Sequence, residues 1–381
     1  MKRLAKLSGA ALLLALAAPS PAFAAATSLP VPVLSTTCTD GYLDSNSVDA
    51  ARSADGKVHG FANFSYSAAC GNKITYFEGS GTSWTVKPTS LVGKVVDVAA
   101  DNTGSYLLYI IREVGVDEIA VVKRANNGTV TRHVMGSLAG SWPDGRGSIV
   151  AKDGTWYAVW PRFNGTRSVL HQARTMFGGD GTATTVPVSV PSTPTASDTF
   201  PALTLGPDGQ PRLFWQRAVP NAKQDLLLST GASGTWGTAT RVAPAVTIQS
   251  LHPSLDIAVT GRRIFTSWTE RTEAGDFARI AQSATGSSWS TTTPPYEYAN
   301  WDAHIVASAT TVFAAYTEGD EPPGGAWMAT KDGSNPWVGS FAGGGIPHSI
   351  DTAGVAALVY HGSGISTALI FSNHELYAVT R

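Results

Sequence analysis

The sequence has 381 residues, with 27 lysines and arginines against 28 aspartates and glutamates, and a formal net charge of −1. This balance argues against a nucleic-acid-binding protein, which normally carries an excess of basic residues. Hydrophobic residues make up 43% of the chain, enough for a sizeable core, so a wholly disordered protein is excluded as well.

The N-terminus has the pattern of a secretory signal peptide. Lysines and an arginine within residues 2–6 precede a short apolar run, residues 10–18, and residues 22–24 read Ala-Phe-Ala, which is typical of a cleavage site. We expect residues 1–24 to be removed near Ala24 and the mature protein to be secreted. Since no later segment reaches 18 uninterrupted apolar residues, we expect no membrane-spanning segment.

Residues 25–46 form a lead segment before the first repeat. An exported chain with two cysteines favours a disulfide, so we predict that Cys38 and Cys70 are joined and tie this segment to the first repeat. Two cysteines cannot complete a structural zinc site by themselves. As an alternative to a separate lead segment, Leu29–Leu34 would supply a strand that closes a ring.

A repeating unit occupies the rest of the chain. A polar turn, commonly Asp-Gly, is followed by an apolar run that ends in a large residue, and these markers recur every 44 to 55 residues. In chain order the markers are Phe64, Ile110, Trp160, Trp215, Trp268, Tyr316 and Tyr360. Seven such units with short alternating strands predict an all-β protein, a seven-bladed β-propeller of four-stranded antiparallel blades over residues 47–381. The markers should occupy equivalent second-strand positions and pack between blades.

A Gly-rich turn before Trp is the second repeated feature. It ends at Trp84, Trp236, Trp289 and Trp337. The segment from Thr330 to Trp337 resembles the Asp box of sialidase-like propellers, and the other three copies lack the Asp. The chain thus resembles secreted bacterial β-propellers of the sialidase-like and propeller-lectin group. In the sialidase-like family the box is a structural staple on the face away from the active site, so the resemblance implies architecture and no activity.

Charged residues recur two positions after five of the markers. They are Arg112, Arg162, Arg217, Glu270 and Glu318. One interpretation is a polar mouth that binds an anionic or hydroxyl-rich ligand. The other is a solvated rim with Arg–Glu pairs between neighbouring blades.

Histidines and aromatic residues near the start of the first strands form a second candidate group. The residues are His252, His304, Trp142 and Trp301. The histidines do not align between copies, and a slip of one residue reverses the face of a strand, so we expect hydrogen-bonding roles and no metal site. Trp side chains suit sugar rings, since an apolar platform beside fixed polar groups is the general design of a small-ligand site.

These features predict a secreted, non-catalytic binding module, lectin-like, that recognises cell-surface carbohydrate. An adaptor role toward a protein partner in a secreted assembly, similar to a lectin subunit of umbrella toxin particles, is a related interpretation. The alternative is a carbohydrate-active hydrolase or polysaccharide lyase; Glu270 and Glu318 would be a hydrolase's carboxylates. A sialidase is disfavoured because no Tyr–Glu nucleophile pair stands out. No cofactor motif is present, so we assign no cofactor and no catalytic residue.

Overall fold

A computed structural model gives the fold of the chain. It describes residues 30–35, 48–63, 73–113, 116–137, 147–175, 184–187, 196–232, 235–248, 255–261, 263–294, 300–308, 310–318, 325–332, 335–341, 354–362, 365–372 and 375–381. These residues form strands and turns, and none of them is helical. Among them no helix is long and apolar enough to cross a membrane.

The strands form seven antiparallel sheets, which are the blades of a propeller. The N-terminal strand is β1 (Val31–Ser35). Blade 1 contains β2 (Val48–Arg52), β3 (Val58–Asn63), β4 (Lys73–Ser80) and β5 (Ser83–Val92). Blade 2 contains β6 (Lys94–Ala100), β7 (Gly104–Glu113), β8 (Val116–Ala125) and β9 (Val130–Ser137). Blade 3 contains β10 (Ser148–Lys152), β11 (Thr155–Phe163), β12 (Ser168–Arg174) and β13 (Thr184–Pro187).

The remaining blades follow the same order. Blade 4 contains β14 (Asp198–Leu205), β15 (Pro211–Val219), β16 (Lys223–Ala232), β17 (Thr235–Trp236) and β18 (Thr240–Val246), the last two both pairing with β16. Blade 5 contains β19 (Asp256–Val259), β20 (Ile264–Thr272), β21 (Gly275–Ser283) and β22 (Ser290–Thr292). Blade 6 contains β23 (Asn300–Ala307), β24 (Thr311–Glu318), β25 (Gly325–Asp332) and β26 (Val338–Phe341). Blade 7 contains β27 (Gly354–Gly362), β28 (Ile365–Ser372) and β29 (Glu375–Thr380). The predicted seven-bladed β-propeller is confirmed.

The N-terminal strand closes the ring. Blade 7 takes only three strands from the C-terminal part of the chain, and β1 pairs antiparallel with β29 as the outermost, fourth strand. Val33 and Leu34 of β1 are buried in a hydrophobic cluster with residues of blades 1 and 7. The pairing of Val31–Ser35 is therefore the one that the alternative of a closing strand describes, in place of a separate lead segment.

Large residues on the second strands pack between blades, as the repeat predicts. The second-strand markers of blades 3 to 6 are at most 2% exposed, and each lies in a cluster with residues of the preceding blade. These residues are Trp160, Trp215, Trp268 and Tyr316. Together with the aliphatic residues of the same clusters, these side chains provide the apolar contact between neighbouring blades.

Two markers depart from the predicted register. In blade 2 the residue that packs against the preceding blade is Tyr109, while Ile110 faces blade 3. Tyr360 lies on β27, the innermost strand of blade 7, and not on a second strand. The register prediction is wrong by one residue at Ile110 and by a whole strand at Tyr360, and Phe64 lies outside the described residues.

The turn signals of the sequence have a direct conformational basis. Asp153 and Gly154 both adopt positive φ, 52° and 82°, and join β10 to β11 in a two-residue hairpin loop, a turn that Asp-Gly favours. The Gly-rich segments before Trp connect the third strand to the fourth in blades 1, 4, 5 and 6. The signal peptide and both cysteines lie outside the described residues, so cleavage and the Cys38–Cys70 disulfide stay predictions.

Candidate functional site

The two ends of the propeller differ in what they display. At one end, which we call the rim face, first strands begin and second strands end, so that Asp198 of β14 lies opposite Arg217 of β15. At the other end, the turn face, the turns between first and second strands lie, such as Asp153-Gly154. All five charged positions that the repeat marks belong to strand ends on the rim face.

The central channel forms a cavity in the described structure. It has a volume of about 480 Å³ and is lined by the innermost strands of all seven blades. Most of its lining residues are Val, Ala, Leu and Ile, which the neighbouring strands bring together. Charged and polar residues interrupt this apolar lining: Asp49, Arg52, Asp97, Ser148, Thr204, Asp256, His304 and Tyr360.

The three channel aspartates clamp adjacent blades. Asp49 accepts hydrogen bonds from the backbone N–H groups of Ala50 (2.7 Å) in its own blade and Val98 (2.7 Å) in blade 2. Asp256 likewise accepts from Ile257 (2.7 Å) in blade 5 and Ile305 (2.9 Å) in blade 6. Each carboxyl therefore uses both oxygens to join two innermost strands.

Asp97 repeats this arrangement between blades 2 and 3. Its Oδ1 accepts from its neighbour Val98 (2.8 Å), and its Oδ2 accepts from Ile149 N and Ser148 Oγ, both at 2.6 Å. Ser148 Oγ in turn accepts from Leu203 N of blade 4 at 3.0 Å. A chain of side-chain-to-backbone bonds thus runs around this part of the channel wall.

Burial shifts two of the channel carboxyls toward the protonated form. Burial, and then the adjacent Asp97 carboxylate, raise the pKa of Asp49 well above its ordinary value. Burial also raises the pKa of Asp256 to about 7; the backbone N–H groups of Ile305 and Ile257 oppose this, and the charge of Asp97 adds to it. Among the described residues no three His, Cys, Asp or Glu side chains are grouped as a metal site would need.

Two predicted rim residues are engaged in ion pairs inside their own blades. Arg217 contacts Asp198 through Nε (2.7 Å) and Nη2 (2.9 Å), a two-pronged pair of which the side chains are 11% and 14% exposed. Glu270 accepts a hydrogen bond from Nε of Arg279 at 2.8 Å. Both pairs lie within a single blade, whereas the rim interpretation expected pairs between neighbouring blades.

Arg162 is the rim arginine that has no such partner. It is half-buried at the end of β11, and its side chain makes no ion pair or hydrogen bond with another residue that the structure describes. Burial first, and then the charge of Arg162, lower the pKa of the nearby His171. A guanidinium in this state can donate to a hydroxyl or carboxylate group of a ligand.

The structure describes only some of the other predicted site residues, and for several of these it describes the backbone alone. Arg112 lies on β7, one residue out of register with Arg162 and Arg217 because Tyr109 replaces Ile110 as the marker. Glu318 ends β24 and Trp301 lies on β23, so their backbones are on the rim face, while the structure does not describe their side chains or that of Arg112. His304 lines the channel, and Trp142 and His252 lie outside the described residues.

The channel aspartates are the polar residues that the sequence analysis missed. The sequence does carry a signal for them, since each stands between two apolar residues where a first strand begins. The three segments read Val48-Asp49-Ala50, Val96-Asp97-Val98 and Leu255-Asp256-Ile257. A charged residue inside an apolar strand that faces the channel needs hydrogen bonds, and the adjacent blade supplies them.

A Tyr–Glu pair is also present, although it is not arranged as a nucleophile. The hydroxyl of Tyr76 donates to Glu78 at 2.6 Å, and the guanidinium of Arg124 lies 4.6 Å from the ring centroid. Burial, and then Glu78, raise the pKa of Tyr76 above its ordinary value, the opposite of activation. The pair lies on the third strand of blade 1, away from the channel, so it gives no support to sialidase chemistry.

No protein-family model and no curated protein sequence matches this chain. Solved propellers do match its fold. An α-L-arabinanase from Penicillium chrysogenum, solved with arabinobiose, aligns over 94% of this chain and 98% of its own length with 10% identity and a TM-score of 0.52. The β-propeller domain of the Trilobed protease from Pyrococcus furiosus, described as having an open velcro topology, aligns over 89% and 95% with 10% identity and a TM-score of 0.53.

A more remote likeness connects the chain to a Hadza microbial sialidase. It has 13% identity and a TM-score of 0.47, and it covers 89% of this chain and 65% of the sialidase. Structural neighbours of this seven-bladed propeller thus include an arabinanase and a sialidase. At such low identities the likeness concerns the fold alone.

Proposed function

We propose that the protein is a secreted, non-catalytic binding module that recognises carbohydrate on its rim face. The observation that carries this proposal is that the carboxyl groups in the channel hold neighbouring blades together. In Asp49, Asp97 and Asp256, one carboxyl oxygen accepts a hydrogen bond from the backbone N–H of the next residue in the same strand. The other oxygen accepts one from a backbone N–H of the adjacent blade. These three carboxyls line the central channel, and their hydrogen bonds hold adjacent blades together.

A general acid or base must lie within about 2.6–3.2 Å of the group that gives or takes its proton. A carboxyl whose oxygens already hold two or three donors has little capacity left for a substrate. Glu270, one of the two carboxylates named for a hydrolase, is bonded to Arg279. The acidic residues of the described rim and channel therefore favour binding over bond cleavage.

Arg162 is the residue on which we place ligand binding. Its guanidinium lies at the rim face and has no acidic partner in the described structure, so it is available to hydroxyl or carboxylate groups. Trp142 and Trp301 remain the proposed platforms for the apolar face of a sugar ring. The Penicillium arabinanase, which has a similar fold, was solved with arabinobiose, so a sugar ligand is compatible with this scaffold.

The predicted secretion of the chain suggests a second class of partner, another secreted protein. A propeller that leaves the cell and binds without catalysis can also act as an adaptor between a surface glycan and another secreted protein. In this form the protein would be a lectin-like subunit of a larger assembly, similar to that of umbrella toxin particles. The rim face would then hold the glycan, and a different surface would contact the partner.

A glycoside hydrolase is the second candidate function, and one observation favours it. Asp256 has a pKa near 7 and lies close enough to Asp97 to be affected by its charge. One protonated and one ionised carboxyl are the pair that such hydrolases need. Binding of both carboxyls to backbone N–H groups argues against this use.

Two measurements on the purified mature protein separate the candidates. A glycan array tests binding, and a reducing-end assay on polysaccharides tests cleavage. We expect binding without product, a loss of binding in Arg162→Ala, and unchanged binding in the matched exposed variant Arg132→Ala on blade 2. Product formation that disappears in Asp256→Asn would establish the hydrolase, and the absence of binding to every glycan would refute the lectin proposal.

A further inference from the structure

A second cavity lies on the turn face, between blades 4 and 5. It has a volume of about 340 Å³, within the range of roughly 300–1,000 Å³ typical of small-ligand pockets. Its walls are the turns between first and second strands and the connections between third and fourth strands of the two blades. It is therefore separate from the channel aspartates and from Arg162, which lie at the other end.

The contacts between blades 4 and 5 at this end differ from those between blades 2 and 3. Between blades 2 and 3 the corresponding turns touch, with Gly154 N donating to Asp101 Oδ2 at 2.7 Å. Between blades 4 and 5 the hydroxyl of Thr240 donates to the carbonyl of Gly286 at 2.8 Å, deeper in the cleft. A side chain at Gly261, on the wall of the cavity, would have no atom within 4 Å of its Cβ.

The walls are held in place by their own hydrogen bonds. Thr260 N donates to Arg263 O at 2.8 Å and closes the turn of blade 5. In blade 4, Gly237 N donates to Thr230 O at 2.9 Å, and Ser229 Oγ donates to Gly237 O at 2.7 Å. A pocket with walls fixed in this way loses little conformational freedom when a ligand enters.

The charge of the pocket is positive. Its lining contains two arginines, one from each blade, and no acidic residue among the described positions. Arg212 is bonded to Asp208 (2.8 Å), whereas the side chain of Arg263 is exposed and its Nη1 donates to the uncharged amide oxygen of Gln282 at 3.5 Å. Arg263 can therefore offer its planar fork to a carboxylate or a sulfate.

The remaining lining supplies the other two elements of a sugar site. Leu228 and Ile264 give an apolar surface, and hydroxyl groups surround it. The hydroxyl-bearing residues are Ser229, Thr230, Thr238, Thr240, Thr260, Thr285 and Ser287. An apolar patch, several hydroxyls and one available guanidinium correspond to the CH face, the hydroxyls and the anionic group of an acidic sugar.

We propose that this interblade pocket binds an acidic monosaccharide unit, with Arg263 holding its anionic group. This inference rests on the proposed function, since it assigns a second carbohydrate site to the same module. Two sites on opposite faces would let one molecule connect a neutral or acidic glycan on the rim face to an acidic polysaccharide on the turn face.

Calorimetric titration with methyl glucuronide, methyl glucoside and inorganic sulfate tests the proposal. We expect methyl glucuronide to bind at least tenfold more tightly than the neutral glucoside and than sulfate. Arg263→Ala should weaken glucuronide binding at least tenfold, while the exposed Arg132→Ala leaves it unchanged. Gly261→Trp, which places bulk at the cavity wall without left-handed backbone, should also reduce it.

The other possible results distinguish a failure of this pocket from a failure of the rim proposal. Loss of glucuronide binding in Arg162→Ala and not in Arg263→Ala would overturn this pocket while leaving the rim proposal intact. Sulfate binding as tight as glucuronide binding would reduce the pocket to an anion site and overturn sugar recognition. If the glycan array shows rim binding but glucuronide does not bind, only this inference fails; if no saccharide binds in either assay, both fail.

Discussion

Arg217 and Asp198 face each other across the first two strands of blade 4, and the guanidinium contacts both carboxylate oxygens, at 2.7 and 2.9 Å. The arginine also lies over the ring of Trp215, with 5.9 Å between the guanidinium carbon and the ring centroid. This geometry commits Arg217 to its own blade. A residue that the sequence analysis assigned to ligand binding thus has a structural partner already.

We therefore expect Arg217→Ala to reduce stability. The pair is mostly buried, so the loss should be about 2 kcal/mol, between the roughly 0–1 kcal/mol of exposed pairs and the 3–5 kcal/mol of fully buried ones. Denaturation by urea measures it. Combining the change with Asp198→Asn in a double-mutant cycle should show that the two effects are not additive.

Arg162→Ala provides the matched comparison, since Arg162 has no acidic partner in the described structure. Its stability should change by no more than about 0.5 kcal/mol, while glycan binding falls. Should Arg217→Ala leave stability unchanged and weaken glycan binding tenfold, the ligand would have to open the Arg217–Asp198 pair, and our assignment of Arg217 would be wrong.

The repeat register makes a second prediction, on the aromatic residues between blades. Trp215 is fully buried on a second strand against Val159 and Leu170 of blade 3, so Trp215→Ala should cost about 3–5 kcal/mol of unfolding free energy. Tyr360 is half-buried on a first strand, and Tyr360→Ala should cost clearly less. Equal losses in the urea-unfolding experiment would contradict the register that the structure shows.

The repeat length and the residues at the turns determine the architecture, which explains why the number of blades could be predicted from the sequence. The spacing of the markers alone cannot determine which residues of a strand face which neighbouring blade, because a shift of one residue reverses the two faces of the strand. At blade 2, Tyr109 and Ile110 are both large and apolar, so nothing local distinguishes the one that faces blade 1. At blade 7, Ala368 and Ile370 of the second strand pack against blade 6, while its aromatic residue, Phe371, packs in the cluster shared with blade 1. The marker was assigned to Tyr360 on the strand before it.

The rim and channel residues were less predictable for a different reason. A strand-end charge such as Arg162 or Arg217 is recognisable in sequence, but its partner depends on which residues of the paired strand lie opposite. Asp198 and Arg217 are 19 residues apart and meet only through strand pairing. The bonds of Asp97 to blade 3 involve residues about 50 positions away, which no local pattern reveals.

Closure by β1 leads to a third prediction. Leu34 is 7% exposed and packs in the cluster between blades 1 and 7, so Leu34→Ala should lower the free energy of unfolding by about 2–5 kcal/mol. Because β1 joins the two ends of the ring, the loss should appear in the single transition of the whole protein. Ser35→Ala on the same strand is exposed and serves as the control. A Leu34 variant as stable as that control would mean that β1 contributes nothing to closure.

The channel carboxyls predict how stability depends on pH. Asp256 has a pKa of about 7 when folded and an ordinary value of 3.8 when unfolded, so the folded state binds an additional proton between these values. Its contribution to stability is full below about pH 4 and is lost as the pH rises through 7. Asp49, whose pKa burial also raises, acts in the same direction. Three histidines act oppositely, because burial lowers the pKa values of His59, His171 and His361 and so favours folding as the pH rises toward 6.5.

Comparison with Asp256→Asn isolates the aspartate, because the histidines and Asp49 are the same in both proteins. The difference in unfolding free energy, wild type minus variant, should fall by about 4 kcal/mol at most between pH 4 and pH 8, most of it between pH 4 and pH 7. The variant loses one good acceptor for Ile257 N or Ile305 N at every pH, which adds a constant offset and leaves the slope unaffected. Urea unfolding at pH 4, 5.5, 7 and 8 measures the slope. A difference that stays constant with pH would show that folding leaves the pKa of Asp256 at its ordinary value, and a difference that grows with pH would show that its pKa is lowered by the two N–H donors rather than raised by burial.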